Sequence, residues 1–499
     1  MKHVLSIDQG TTSSRAIIYD ESLNVCGTGQ YAFEQLFPQP GWVEHDPELI
    51  WRTTQQAVDT ALQAAQLAGT EITCIGITNQ RETTVVWNKK TGKAIHNAIV
   101  WQDRRTAATC LDLEAQRYEP KISKKTGLVL DPYFSASKIR WILDNVAEAQ
   151  ALAAQGDLCC GTIDSWLIWK LSGGNAHVIE ISNASRTLLL ELHTGAWDDE
   201  LLSIFGIPAD ILPTVVESSG AIAEATVSPL QGVPITGAAG DQQAALFGQA
   251  CFDTGDTKCT YGTGCFLLAN IGTTPIASKA RLLTTVGWSI DRQITYALEG
   301  SVFIGGALVQ WLRDNLSIIE QAADIEALAA SVSDNGGVTL VPAFAGLGAP
   351  YWDPDARGTL IGITRGTGKG HIARAALEAI AHQVTDVIEV MRSDLEVELS
   401  DMRVDGGACA NNLLMQMQAD YSRLNVIRAT NLESTALGAA MLAGLGAKIW
   451  PSVHALSDLQ HTDQKFLPKL DEDSRTRARS TWQRAVERAS GWANEQVSE

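Results

Sequence analysis

Apolar and polar positions alternate through Val4-Leu5-Ser6-Ile7, which predicts a β-strand, and Ser14-Arg15-Ala16-Ile17-Ile18-Tyr19 predicts a second. The Gly10-Thr11-Thr12-Ser13 link between them is then a hairpin, with Asp8 at the end of the first strand. The pattern returns roughly half a chain later, where Thr257 to Gly272 reads as strand, a Gly262-Thr263-Gly264 turn, and strand. More strand follows each hairpin, and then an amphipathic helix. The first helix opens at Asp46-Pro47, a capping acid with proline at the first helical position. It places Ile50, Thr54, Ala57, Ala61 and Ala65 on one face, and Gly69 is expected to end it. The second helix follows Gly305-Gly306 and carries Leu308, Trp311 and Leu312. Two similar half-chains, each opening on a hairpin, predict a duplicated α/β domain with a ligand between the halves. The boundary is expected near Gly248 to Thr254, which gives units of 1–250 and 251–499.

Neither hairpin is a Walker loop, because no Gly-Lys-Ser/Thr follows and the next element is a strand. Backbone N–H groups and hydroxyls in such a turn suit phosphate oxygens, and Asp8 suits a water-bridged Mg²⁺. An ordinary polar hairpin fits the same residues. A third glycine-rich turn, Gly406-Gly407, lies between the buried strand Met402-Arg403-Val404 and a helix from Asn411 onward. That arrangement suits a nucleotide at the carboxyl end of a strand, and equally a plain strand-to-helix turn. Arg365 to His371 only mimics a P-loop: Ile363 stands where the first glycine belongs, and Gly370 follows Lys369.

Two polar clusters are candidates for chemistry. The apolar strand Ile75 to Ile77 delivers Asn79-Gln80-Arg81-Glu82 at its end, where ligands sit in open α/β sheets. Arg81 and Glu82 could pair with each other, bind the hydroxyls of a neutral polyol, or belong to a solvated turn. Asp241, beside Gln242, follows the strand Val233 to Thr236 at a helix start. It is a helix cap, a general base, or both.

Composition narrows the class. The 499 residues suit two to four domains at ~100–200 residues each. A 45% apolar content fills large cores, and 42 glycines fit an α/β protein with many tight turns. A formal charge of −19 argues against nucleic acid as a partner, which calls for a basic face. No signal-peptide pattern opens the chain. No apolar run reaches the ~18 residues that span a bilayer, and the Gly-broken stretch from Ala436 to Ala447 reads as a core helix. Nine cysteines without metal-type spacing suggest reduced thiols in a cytoplasm. The charged stretch from Asp471 to Glu499, with Arg and Glu at helical spacing, is expected to be a surface helix.

Longer motifs carry a resemblance. Tyr133 to Asn145 (YFSASKIRWILDN) and Gly358 to Glu378 (GTLIGITRGTGKGHIARAALE) resemble the two signatures of the FGGY family of carbohydrate kinases. PGWVEHDP, GITNQRETT, NAIVWQDRR, GDQQAALFGQ, TYGTGCF and GLGAPYWDPDARG are similar to the members that phosphorylate glycerol, more than to pentulose kinases. The resemblance covers nearly the whole chain.

It implies two ribonuclease H-like domains of the actin/hexokinase/Hsp70 ATPase type, with ATP and glycerol in the cleft between them. It implies that Asp241 accepts the proton of a terminal glycerol hydroxyl, and that Arg81, Glu82, Tyr133, Asp241 and Gln242 bind the hydroxyls. Thr11, Thr12, Ser13 and Arg15 would meet the phosphates from one domain and Thr263 from the other. Gly306, Gln310, Gly407 and Asn411 would line the adenosine side; Trp101 and Phe266 are candidates to cover the glycerol carbons, and equally for core packing. Asp8, through water, and Asp241 would lie by Mg²⁺. A cytoplasmic homodimer or homotetramer follows from the same resemblance. Some bacterial members bind fructose 1,6-bisphosphate through a Gly-rich, Arg-containing loop; the matching stretch here, Glu224 to Gly237, has no Gly run, no Arg and no His. Control by that sugar bisphosphate or by histidine phosphorylation is not expected. An FGGY kinase for another small polyol or ketose, and a non-catalytic actin-like ATP-binding protein, are the alternatives.

Overall fold

The structure is a computed structural model that describes residues 2–395, 398–399, 401–459 and 462–494. Two mixed sheets organise it. The first contains β1 (His3–Gln9), β2 (Ser13–Tyr19), β3 (Val25–Ala32), β4 (Ile72–Asn79), β5 (Ser219–Glu224) and β6 (Pro234–Gly240). The second contains β7 (Thr257–Tyr261), β8 (Cys265–Gly272), β9 (Leu283–Ile290), β10 (Gln293–Val302), β11 (Asp401–Asp405), β12 (Asn425–Ala429) and β13 (Thr462–Phe466).

The spatial orders are β5-β6-β4-β1-β2-β3 and β9-β10-β8-β7-β11-β12-β13. Within them, β3-β2-β1-β4-β6 matches β10-β8-β7-β11-β12. In each set the opening strand runs antiparallel to the hairpin strand and parallel to the next central strand, which is itself parallel to the one beyond. The duplication read from the two hairpins is therefore a duplication of topology, the ribonuclease H-like arrangement of the actin/hexokinase/Hsp70 ATPases. β1, β4 and β6 are buried over most of their length because both faces of the sheet are covered, so they read as near-continuous apolar or small runs.

The helices that bear on the site are α1 (Pro47–Ala65), α2 (Ser135–Asn145), α3 (Asp241–Gly248), α4 (Gly306–Asp314), α5 (Lys369–Asp394), α6 (Asn412–Ser422), α7 (Ser434–Gly446) and α8 (Glu472–Ala489). α1 starts where expected, with the Asp46 carboxylate accepting the Glu48 amide. It stops short of Gly69, because Gln66 takes a left-handed backbone and turns the chain. α8 departs from the expectation of a surface helix. Its outer face is charged, but Trp482, Ala485, Val486 and Arg479 are buried, and Arg479 pairs with Asp386 of α5. Residues 495–499 of that stretch lie outside the described residues.

α3 and α7 occupy equivalent places, each following the last parallel strand of its half. They pack on each other and on β1, β4 and β6, with Val4, Cys74, Ala244, Phe247, Trp288, Ala440 and Leu442 in one shared core. The helix read as Gly-broken and buried is thus the one that crosses to cover the opposite sheet. A chain segment between β4 and β5 adds its own core of Val86, Ile99, Phe134, Ile139 and Leu189, and carries Tyr133. No helix among the described residues is long and apolar enough to cross a membrane.

Candidate active site

The Gly10 amide donates to the Ser13 carbonyl at 2.9 Å and closes the β1–β2 turn. Gln80 Nε2 holds the Gly10 carbonyl at 3.0 Å. Thr11 Oγ1 accepts from Trp101 Nε1 at 3.1 Å, Ser13 Oγ accepts from Gln30 Nε2 at 3.0 Å, and Thr12 is exposed at the tip. Arg15 lies opposite Asp8 in the β1–β2 register and forms an ion pair with Glu433, just ahead of α7. Burial pushes the Asp8 carboxyl up to about 7 against the pull of Arg15, with Asp241 and Glu433 adding like charge.

The β7–β8 turn repeats this closure, the Gly262 amide donating to the Gly264 carbonyl at 2.9 Å. Thr263 is exposed at its tip. Its carbonyl accepts the amides of Gly305 at 2.8 Å and Ala307 at 3.1 Å, so the turn is seated on the start of α4. Gly306 faces it so closely that a Cβ would lie 2.7 Å from the Gly262 carbonyl oxygen. Gln310 is exposed one turn further along α4. β7 and β11 are neighbours, which brings the Gly406-Gly407 turn beside the Tyr261 carbonyl. Gly407 is exposed, and a Cβ there would meet nothing within 4 Å. Asn411 caps α6, its side-chain oxygen accepting the Leu414 amide at 2.8 Å. Thr263, Gly306, Gly407 and Asn411 thus cluster at the carboxyl ends of β7 and β11.

The other cluster is acidic and basic at once. Arg81 and Glu82 are not a solvated turn: both are buried, and their mutual approach of 3.8 Å is the longest of their ion pairs. Arg81 grips Glu299 of β10 through Nη1 at 2.5 Å and Nη2 at 3.0 Å, and its Nε lies 3.2 Å from Asp241 Oδ1. Glu82, held at φ 59, accepts from Arg186 Nε at 2.6 Å. Arg186 also donates to Glu299 at 3.1 Å. Burial alone would raise Glu299, but Arg186 and Arg81 hold it down at about 2. Tyr133 sits over this ring, with Arg186 5.7 Å from its ring centroid and Trp101 meeting it edge-on at 5.7 Å. Its turn is pinned by Lys138 Nζ, which donates to the carbonyls of Pro132 at 2.8 Å, Tyr133 at 2.5 Å and Phe134 at 3.1 Å.

Asp241 is not spent as a helix cap. Gly240 occupies the capping position, and the carboxylate accepts the neighbouring Gln242 amide at 2.7 Å rather than an amide of the next turn. Its side chain is 32% exposed, the most open of the carboxylates in ion-pair contact with Arg81. Burial raises its pKa, opposed by Arg81 and Lys258. Gln242 is tied down by the buried Lys258 ammonium, which donates to its Oε1 and, at 2.9 Å, to Thr260 Oγ1.

Arg186, Glu299, Lys258 and Glu433 escaped the sequence reading, as did Asp405. Asp405 accepts from Gln249 Nε2 at 3.2 Å and from Ser434 Oγ, and so joins the end of α3 to the start of α7. No group of three or more His, Cys, Asp or Glu among the described residues encloses an ion by itself. Asp8, with Asp241 and Glu433 in electrostatic reach, fits an ion that keeps most of its waters and shares phosphate oxygens.

Residues 3–248 match the N-terminal domain of the FGGY family of carbohydrate kinases, and residues 257–447 match its C-terminal domain. The chain belongs to the FGGY family of carbohydrate kinases. Among curated FGGY relatives, the glycerol kinase of Janthinobacterium sp. (strain Marseille) is 55% identical, over 98% of this chain and 99% of that protein. The glycerol kinase of Deinococcus radiodurans is 53% identical over 99% of each. Among solved structures, Plasmodium falciparum glycerol kinase with ADP superposes with a TM-score of 0.93 at 38% identity, covering 98% of each chain. A ligand-bound xylulose kinase from Lactobacillus acidophilus superposes with a TM-score of 0.86 at 21% identity, a likeness of fold alone.

Proposed function

We propose that this FGGY kinase transfers the γ-phosphoryl group of ATP to a terminal hydroxyl of glycerol, giving sn-glycerol 3-phosphate and ADP. The observation that carries the reading is Asp241: uncapped, partly open, and 3.2 Å from an arginine that also lines the acceptor cluster. The names and full-length identity of its relatives support the choice of acceptor.

In this reading Asp241 takes the hydroxyl proton as the oxygen attacks the γ-phosphorus. Arg81, Glu82, Tyr133 and Gln242 orient the uncharged acceptor by directional hydrogen bonds, with Trp101 and Phe266 against its carbons. An analogue lacking one hydroxyl leaves a polar partner unpaired, at roughly 1–3 kcal/mol. The hairpin residues Thr11, Thr12, Ser13 and Arg15 meet the phosphates from one side and Thr263 from the other. Gly306, Gln310, Gly407 and Asn411 border the adenosine.

Phosphoryl transfer needs alignment and charge neutralisation more than covalent help. Mg²⁺ at Asp8, when bound, supplies part of that neutralisation. Closure of units 1–250 and 251–499 would bring the hairpins together and exclude water, the competing acceptor. A cytoplasmic location and a homodimer or homotetramer are part of the same reading.

The test is ADP release from Mg-ATP over a panel of glycerol, erythritol, xylulose and ribulose. Glycerol is expected to give the highest kcat/KM. A preference for a ketose would replace the acceptor, and ATP turnover indifferent to any acceptor would remove the kinase reading.

A further inference from the structure

Phosphoryl transfer as just described does not call for Glu299. Yet this residue of β10 is fully buried, and both of its oxygens are occupied by guanidinium groups from the first half of the chain. Arg81, Glu299, Arg186 and Glu82 form a closed ring of two positive and two negative groups. Burying four charges is costly, and apolar packing stabilises such a place as well or better. A purely structural role therefore does not account for the ring.

The ring constrains Arg81 in a particular way. With both terminal nitrogens held by Glu299, Arg81 turns its remaining Nε to Asp241 at 3.2 Å. Glu82 is fixed in the same manner by Arg186 at 2.6 Å. Because the four charges cancel, no net charge from the ring is left over for the acceptor, which favours an uncharged one.

We infer that Glu299 is a positioning residue for the acceptor site: from the second half of the chain it fixes the Arg81 guanidinium, and through it the orientation of the Asp241 carboxylate. The inference rests on Asp241 acting as the base. Without the Glu299 carboxylate the terminal nitrogens of Arg81 lose the partner that fixes them, and the guanidinium is left between Glu82 at 3.8 Å and Asp241 at 3.2 Å, free to turn.

The experiment compares wild type, Glu299→Gln and Glu299→Asp in kcat and KM for the acceptor and for Mg-ATP. Glu299→Gln is expected to lower acceptor kcat/KM by roughly 100-fold, the scale of a misplaced reacting group. The KM for Mg-ATP stays unchanged. Glu299→Asp keeps a carboxylate for Arg81, so acceptor kcat/KM falls by less. Equal losses toward both substrates, or a Glu299→Asp loss as large as that of Glu299→Gln, overturns the inference. Should the Gln variant fail to fold, Glu299→Asp and Arg186→Lys carry the same comparison, and a loss toward Mg-ATP equal to that toward the acceptor overturns it. A wild type that prefers another acceptor refutes the glycerol assignment, and the same comparison is then read on that acceptor.

Discussion

Gly438 and Ala244 meet backbone to backbone: a Cβ on Gly438 would lie 1.8 Å from the Ala244 carbonyl oxygen. Gly248 makes the reciprocal approach, 2.0 Å from the Ser434 oxygen. α3 begins with Asp241 and α7 begins beside Glu433, the partner of Arg15, so this crossing sets how Asp241 and the β1–β2 hairpin sit relative to each other. Gly438→Ala is expected to lower unfolding stability by about 1–3 kcal/mol or more, as overpacking does, and to lower kcat with it. Gly407→Ala is the contrast. Open space surrounds that position, so chemical denaturation should find stability unchanged while the KM for Mg-ATP rises.

Lys138 offers a prediction about substrate affinity. Its ammonium is buried under Tyr133 and satisfies three carbonyls. Lys138→Met strands those acceptors at a cost of about 1–3 kcal/mol and frees the Tyr133 turn. The KM for glycerol should rise more than the KM for Mg-ATP. Equal changes in both would mean that the turn does not serve the acceptor.

What was legible in the sequence was local. Each hairpin is an alternating pattern with a Gly/Thr interruption, and Arg81-Glu82 stands out because opposite charges follow a fully apolar strand. The buried ring was not legible, because Glu299 lies 218 residues from Arg81 and Arg186 lies 104 residues from Glu82. A single acid inside a strand looks like any solvent-facing one until the sheets are placed. α8 misled for the opposite reason. Its many charges mask a stripe of Arg479, Trp482, Ala485 and Val486 that is buried against the second half. Asp241 was ambiguous between cap and base; the uncapped start of α3 removes the first role but comes from backbone geometry that no residue type announces.

Asp8 carries a pH dependence. Its carboxyl is raised to about 7, chiefly by burial. Below that pH it is protonated, and a divalent cation must displace the proton. The apparent Mg²⁺ requirement should therefore rise roughly tenfold per pH unit below about 7 and level off above it. Titrating activity with Mg²⁺ at about pH 6 and about pH 8 checks this. Asp8→Asn should weaken Mg²⁺ use and flatten the pH dependence; an identical requirement at both pH values in wild type would remove Asp8 from the metal site.

Glu299 behaves in the opposite sense. Its folded-state pKa of about 2 lies below the ordinary carboxylate value of 4.5, so its contribution to stability is complete above about 4.5 and is lost as pH falls toward 2. Acid unfolding followed by fluorescence should show a steep loss in that window, and Glu299→Gln should make it shallower.

The connection between β5 and β6, residues 225–233, contains neither Arg nor His. Fructose 1,6-bisphosphate should leave activity unchanged at physiological concentrations. Dose-dependent inhibition of the purified enzyme would show that another surface binds it.

Asp241 is the centre of the account, and its conversion to Asn is the most direct test. ADP release from Mg-ATP is measured with and without glycerol in wild type and Asp241→Asn, alongside glycerol binding by calorimetry. Turnover that requires glycerol and collapses in the variant, while glycerol binding survives, is the predicted result. ATP hydrolysis that ignores both glycerol and the substitution would contradict a base at Asp241 and with it the phosphotransfer reading.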